Sequence, residues 1–155
     1  MKIKSHTSSR FWIWVFPITF LIHIAEEYFG GEGYSGYLLR LRGITLSPHR
    51  FLVGQAIAFA LMIVGIILAK QLKFLNCMIV ILGAVVLVNA LTHCVQTVAH
   101  GQYVPGLVTA IILWLPLGMI TLLRFKSQMR ASSYWICLAL GVTIISSVEI
   151  LIISS

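Results

Sequence analysis

The chain contains no aspartate, and its acidic side chains number only four: Glu26, Glu27, Glu32 and Glu149. Charged residues make up 10% of the 155 positions against 59% hydrophobic ones, and the mean hydropathy is +1.00. So little polar surface cannot cover the core of a soluble globular domain of this length, which leaves an integral membrane protein. Three cysteines, Cys77, Cys94 and Cys137, each lie within an apolar run; their spacing implies neither a disulfide nor a zinc knuckle. Repeats and low-complexity segments are also missing, and the length allows one domain, residues 1–155. The formal net charge of +7 comes from basic residues at the edges of apolar runs. Orientation in a bilayer accounts for that placement, and no nucleic-acid partner is expected.

What the chain does have is apolar runs of roughly 20 residues, each long enough to cross a ~30 Å hydrocarbon core. They fall at about 11–29, 51–69, 74–98, 105–123 and 134–153. The expected fold is an all-α polytopic bundle of about five transmembrane helices. Lys2, Lys4 and Arg10 ahead of the first run resemble a signal peptide, but no small-residue cleavage site follows, so a retained first span is expected. A glycine-rich loop from Gly30 to Arg50 separates the first two spans, and Lys70-Gln71-Leu72-Lys73 makes a tight turn between the next two. With the N-terminus inside, the inner segments carry Lys2, Lys4, Arg10, Lys70, Lys73, Arg124, Lys126 and Arg130, and the outer ones only Arg40, Arg42 and Arg50. This asymmetry predicts a cell-membrane protein with a cytoplasmic N-terminus and an outside C-terminus.

Half of the acids are spent in His23-Ile24-Ala25-Glu26-Glu27, inside the first apolar run. A charged group at the centre of a span costs roughly 2.5–3.5 kcal/mol on insertion scales, so a pair beside a histidine calls for a reason. Helical spacing puts His23 on one face with both glutamates. At 1.5 Å per residue, His23 to Glu27 lie about 18–24 Å from the inner end of their span. Asn89 and His93 lie about 22–28 Å up the third span, and Glu149 about 22 Å up the fifth. Rare polar residues on three spans therefore reach one level, and such residues turn towards the bundle interior.

Asn89 and His93 share a helix face, His100 follows two turns later, and Tyr103-Val104-Pro105-Gly106 forms a tight connection to the fourth span. Three imidazoles with one or two carboxylates suit a divalent ion such as zinc, which commonly takes three protein ligands and leaves a position for water. The expected ligands are His23, Glu27, His93 and His100. A glutamate not bound to the ion can act as general base, so Glu26 and Glu27 are both catalytic candidates. Asn89 is expected to orient an imidazole.

The pattern His23-x-x-Glu26-Glu27, then Asn89 and His93, then His100 with Tyr103-x-Pro105-Gly106, resembles the HXXEE domain family of small membrane proteins. The resemblance runs from the first span to the fourth. It implies a metal-dependent, hydrolytic membrane enzyme and adds Tyr103 to the catalytic candidates, without naming a substrate. The resulting expectation is a hydrolase acting on a lipid or other amphiphile that enters from the bilayer.

Two other functions use the same residues. A metal-free acid–base enzyme would resemble five-span sterol isomerases in placing histidine and glutamates in a lipid-accessible cavity. A transporter subunit would use the acids as an ion or proton relay, although the inner halves of the spans lack the polar residues a conducting path needs. Among plainer readings, Trp12, Trp14, Trp114 and Trp135 are expected in aromatic belts or packing. His6 and His49 are expected to be exposed. Arg40, Arg42 and Arg50 are expected to be interfacial anchors rather than a lipid-phosphate grip. Glu149 either completes the site or pairs with a histidine.

Overall fold

A computed structural model describes the backbone of residues 9–154 and every side chain among them except those of Glu149 and residues 151–154. Lys2, Lys4, His6 and the Glu149 carboxyl therefore lie outside the described residues. The described chain folds into helices α1 (Val15–Phe29), α2 (Gly33–Arg42), α3 (Pro48–Gln71), α4 (Leu75–His100), α5 (Leu107–Lys126) and α6 (Ala131–Ser154). The architecture is all-α, as expected. Helices α3 to α6 are long and apolar enough to cross a membrane. Helix α1 has 15 residues, a length of about 22 Å, so the expected first span is the short member of the bundle.

Local chemistry explains the helix ends. Pro17 falls in the first turn of α1, where its missing N–H costs nothing. The Ser47 hydroxyl accepts from the Arg50 N–H at 3.2 Å, and Pro48 opens α3. Helix α2 lies inside the stretch expected to be loop. Its Tyr34, Tyr37 and Leu38 are spaced three and four apart and are all buried. Gly43, in the left-handed conformation at φ 66°, stops it. The four glycines around that segment masked its apolar periodicity in the sequence.

Helix α4 is the central element, packed against α5 and α6. Close approach there depends on small residues: a Cβ on Gly118 would stand 2.7 Å from Leu87 Cβ, and one on Gly141 would stand 2.6 Å from the Ile81 carbonyl. The main core, including Ile13, Phe16, Ile66, Ile79, Val80 and Phe125, fills the bundle on the side of the α3–α4 turn. The cysteine expectation fails: Cys77 and Cys137 form a disulfide between α4 and α6, with Cα atoms 5.5 Å apart, while Cys94 is free. Their pairing depends on where two helices cross, which sequence spacing does not report.

Helix α5 is irregular. Ala110 to Trp114 form a π turn just ahead of Pro116, whose missing N–H removes a rung of the α-helical ladder. Such turns re-aim side chains and recur at functional sites. Here the side chain affected is Trp114.

Candidate metal centre

His23 and Glu27, one turn apart on α1, meet His93 of α4. Their relative exposures are 1%, 5% and 4%. Each offers one ligand atom, and the three atoms lie within 4.8 Å of one another. Glu27 Oε1 is 3.6 Å from His23 Nε2 and 3.4 Å from His93 Nε2. These separations are long for N–H···O hydrogen bonds, which peak near ~2.9–3.0 Å. They match the roughly 3.3 Å edge of a tetrahedron whose centre lies 2.0–2.1 Å from each ligand. His23 Nε2 is buried without a hydrogen-bond partner, as a ligand nitrogen facing a cation would be, while the unpartnered nitrogen of His93 is Nδ1, on the other side of the ring from the Nε2 that faces Glu27.

Glycine roofs the group. A Cβ on Gly106 would stand 2.8 Å from His93 Cε1, 2.9 Å from His23 Cε1 and 3.0 Å from Glu27 Cγ, and its φ of +94° is one that side chains rarely adopt. Trp114 packs against the group as well, stacked on His23 with centroids 3.7 Å apart. Trp114 is buried in the main core, which bears out the packing alternative expected for it, and the stack on His23 adds a contact with the site.

Glu26 behaves differently from its neighbour. Its Oε1 accepts from the Tyr103 hydroxyl at 2.6 Å and the Val108 N–H at 2.9 Å; its Oε2 accepts from the Thr109 N–H at 2.7 Å and the Thr109 hydroxyl at 2.5 Å. The carboxylate thus caps the first turn of α5, where unsatisfied N–H groups and the helix dipole favour negative charge. Successive residues on a helix point about 100° apart, so adjacent glutamates serve different neighbours.

Thr109 connects the two glutamates' surroundings. Its oxygen lies 2.7 Å from His23 Nδ1. The hydroxyl proton goes to Glu26 Oε2, nearer than the Gly106 carbonyl at 3.2 Å. The hydroxyl must then accept from His23 Nδ1–H, which leaves Nε2 of a neutral imidazole with its lone pair towards Glu27. This carboxylate–hydroxyl–imidazole chain fixes the tautomer a metal ligand needs.

The remaining expected site residues are placed as follows. Asn89 lines the cavity one turn from His93, with its Oδ1 buried and unpartnered. Tyr103, 39% exposed, reaches Glu26 and not the triad. Burial and then the Glu26 carboxylate push its phenol up to about 12. A Cβ on Gly30 would lie 2.7 Å from the Tyr103 hydroxyl, so only glycine leaves room for it. His100 is not brought to the group: it is exposed at the last residue of α4. Seven residues keep it on the His93 face but carry it about 10 Å further along the helix. Thr109, Trp114 and Gln96, which accepts from the Tyr37 hydroxyl at 3.0 Å, had no motif to mark them.

The triad lines a partly open cavity of about 420 Å³. Phe16, Phe20, Met62, Val86 and Ile145 make most of the wall apolar. At the exposed surface, Arg40 pairs with Glu32 at 2.6 Å and also donates to Gln102 in the α4–α5 connection. That pairing holds the Glu32 carboxyl below its usual range and the guanidinium above its own.

The family described as "Protein of unknown function with HXXEE motif" matches residues 14–121, more than half of the chain. No curated protein and no solved structure matches it. The matched stretch contains the three triad residues, Glu26, Tyr103, Gly106 and Thr109.

Proposed function

The chain belongs to the HXXEE-motif family, and on that footing we propose that it is a metal-dependent membrane hydrolase acting on a lipid or other amphiphile. The observation that carries this reading is a buried His23–Glu27–His93 group lining a mostly apolar cavity. In the proposed reaction these three residues hold one divalent ion, zinc by the character of the donor set. The ion would polarise the scissile carbonyl or phosphoryl group and lower the pKa of the attacking water.

The chain supplies the rest. Glu26 acts through Thr109 to keep His23 Nε2 unprotonated. Its four hydrogen bonds leave it poorly disposed to serve as base. Glu27 would help hold the ion through one carboxylate oxygen, and its other oxygen would be free to take the proton of the water. Asn89, with an unpartnered Oδ1 in the cavity wall, orients the polar head of the substrate, while the apolar wall takes the chain and excludes bulk water. The basic asymmetry supports a cytoplasmic N-terminus, with the triad in the outer half of the bilayer.

The test is hydrolysis of a panel of acyl and phosphoryl amphiphiles by protein in proteoliposomes. Turnover that is abolished by a chelator, restored by zinc and lost in His93→Ala supports the reading. Turnover indifferent to chelator and to His93→Ala overturns it and favours metal-free acid–base catalysis.

A further inference from the structure

We propose that the opposite end of the bundle holds a second site, which binds the phosphate group of an anionic membrane lipid. A cavity of about 830 Å³ opens there, where the α3–α4 turn meets the start of α6. It lies about 24 Å along α4 from His93, since Cys77 in its wall precedes that residue by sixteen positions. Arg10, Lys70, Lys73 and Asn76 supply its polar wall, and Phe74 and Ile136 part of its apolar one.

Three features separate this cavity from a scatter of solvated basic residues. First, its three cations come from two segments, Arg10 ahead of α1 and Lys70 with Lys73 at the α3–α4 turn; no acidic residue lines it, and none of the three forms an ion pair among the described residues. Like charges around one cavity repel unless an anion lies between them. Second, the backbone goes out of its way to place one of them: Lys73 is the only non-glycine described with positive φ, at 62°. That conformation is unfavourable for an L-residue by roughly 1–2 kcal/mol. Third, α4 starts here with Phe74 at its N-cap and no side-chain cap; the Cys77 N–H turns back to the Phe74 carbonyl at 3.0 Å, which leaves the N–H groups of Leu75 and Asn76 for an external acceptor.

A phosphate satisfies all three, because it accepts from several N–H donors and carries the charge the cations need. The apolar wall and the position at the end of membrane-length helices select a lipid as the source. Lys70 fits this placement, its ammonium 4.5 Å from the centre of the Trp14 ring, as expected for a pair at a membrane interface.

The experiment compares purified protein in nanodiscs of pure phosphatidylcholine with protein in discs that also contain phosphatidylglycerol, scoring retained lipid by native mass spectrometry and the unfolding temperature. Phosphatidylglycerol should be retained several-fold over phosphatidylcholine and should raise the unfolding temperature. Lys73→Gln and Arg10→Gln should each remove most of that preference, while Lys126→Gln, on the same end but outside the cavity wall, should keep it. An equal loss in Lys126→Gln reduces the effect to diffuse surface charge and overturns the proposal. Protection by inorganic phosphate alone, matching that of the lipid, overturns the assignment to a lipid. A folded wild type with no preference between the two lipids overturns the site itself.

Discussion

Replacing Gly106 by alanine tests the metal centre without removing any ligand. The new methyl would meet the His93 and His23 rings at 2.8 and 2.9 Å and the Glu27 side chain at 3.0 Å. Overpacking of this kind costs about 1–3 kcal/mol, and here it falls on the three residues that would hold the ion. Passed to binding at 1.4 kcal/mol per tenfold, it weakens metal affinity roughly 5- to 100-fold. The positive φ adds about 1–2 kcal/mol of backbone strain, which lowers the unfolding temperature whether or not metal is bound. Gly101→Ala separates the two effects, because Gly101 also has positive φ, +61°, but nothing stands within 4 Å of its Cβ position. Competition titration against a chromophoric chelator measures the affinities, and thermal unfolding measures the strain. Gly101→Ala should lose stability and keep wild-type affinity, while Gly106→Ala loses both. Equal metal affinity in the two variants would refute the placement of the glycine over a ligand group.

Thr109→Val removes the hydroxyl between Glu26 and His23 and should weaken metal binding about 10- to 100-fold; Thr109→Ser should restore it, and failure of that rescue would contradict the relay. The Tyr103 phenol, raised from 10 to about 12 by burial and by Glu26, stabilises the fold fully below pH 10 and loses its contribution as pH rises through about 12. The unfolding temperature of Tyr103→Phe should therefore lack the alkaline decline that wild type shows in that window. Reducing the Cys77–Cys137 link, which closes a separation of 60 residues, should destabilise by up to about 4 kcal/mol on the chain-entropy account; reductant should lower the unfolding temperature of wild type but not of Cys137→Ser.

The triad was legible because polar side chains in apolar helices have few places to go. Helix rise put His23, Glu27, Asn89 and His93 at one depth, and burial brought them to one cavity wall. The same rise misplaced His100, since the shared face continues past the end of the buried stretch. The different roles of Glu26 and Glu27 were not legible: which acid caps α5 depends on where that helix starts against α1. Thr109, Trp114 and the Cys77–Cys137 pair are set by contacts between residues distant in sequence, and no local pattern marks them. Helix α2 was hidden by composition, its apolar face diluted among glycines.

Metal analysis of the purified, detergent-solubilised protein asks whether His23, Glu27 and His93 hold an ion. Wild type dialysed against trace zinc should retain about one equivalent per chain, as expected for a three-residue ligand set. His23→Ala, Glu27→Gln and His93→Ala should each lose it, while His100→Ala should keep it. Folded wild-type protein that retains no divalent ion, or a loss in His100→Ala equal to that in His93→Ala, would contradict the account.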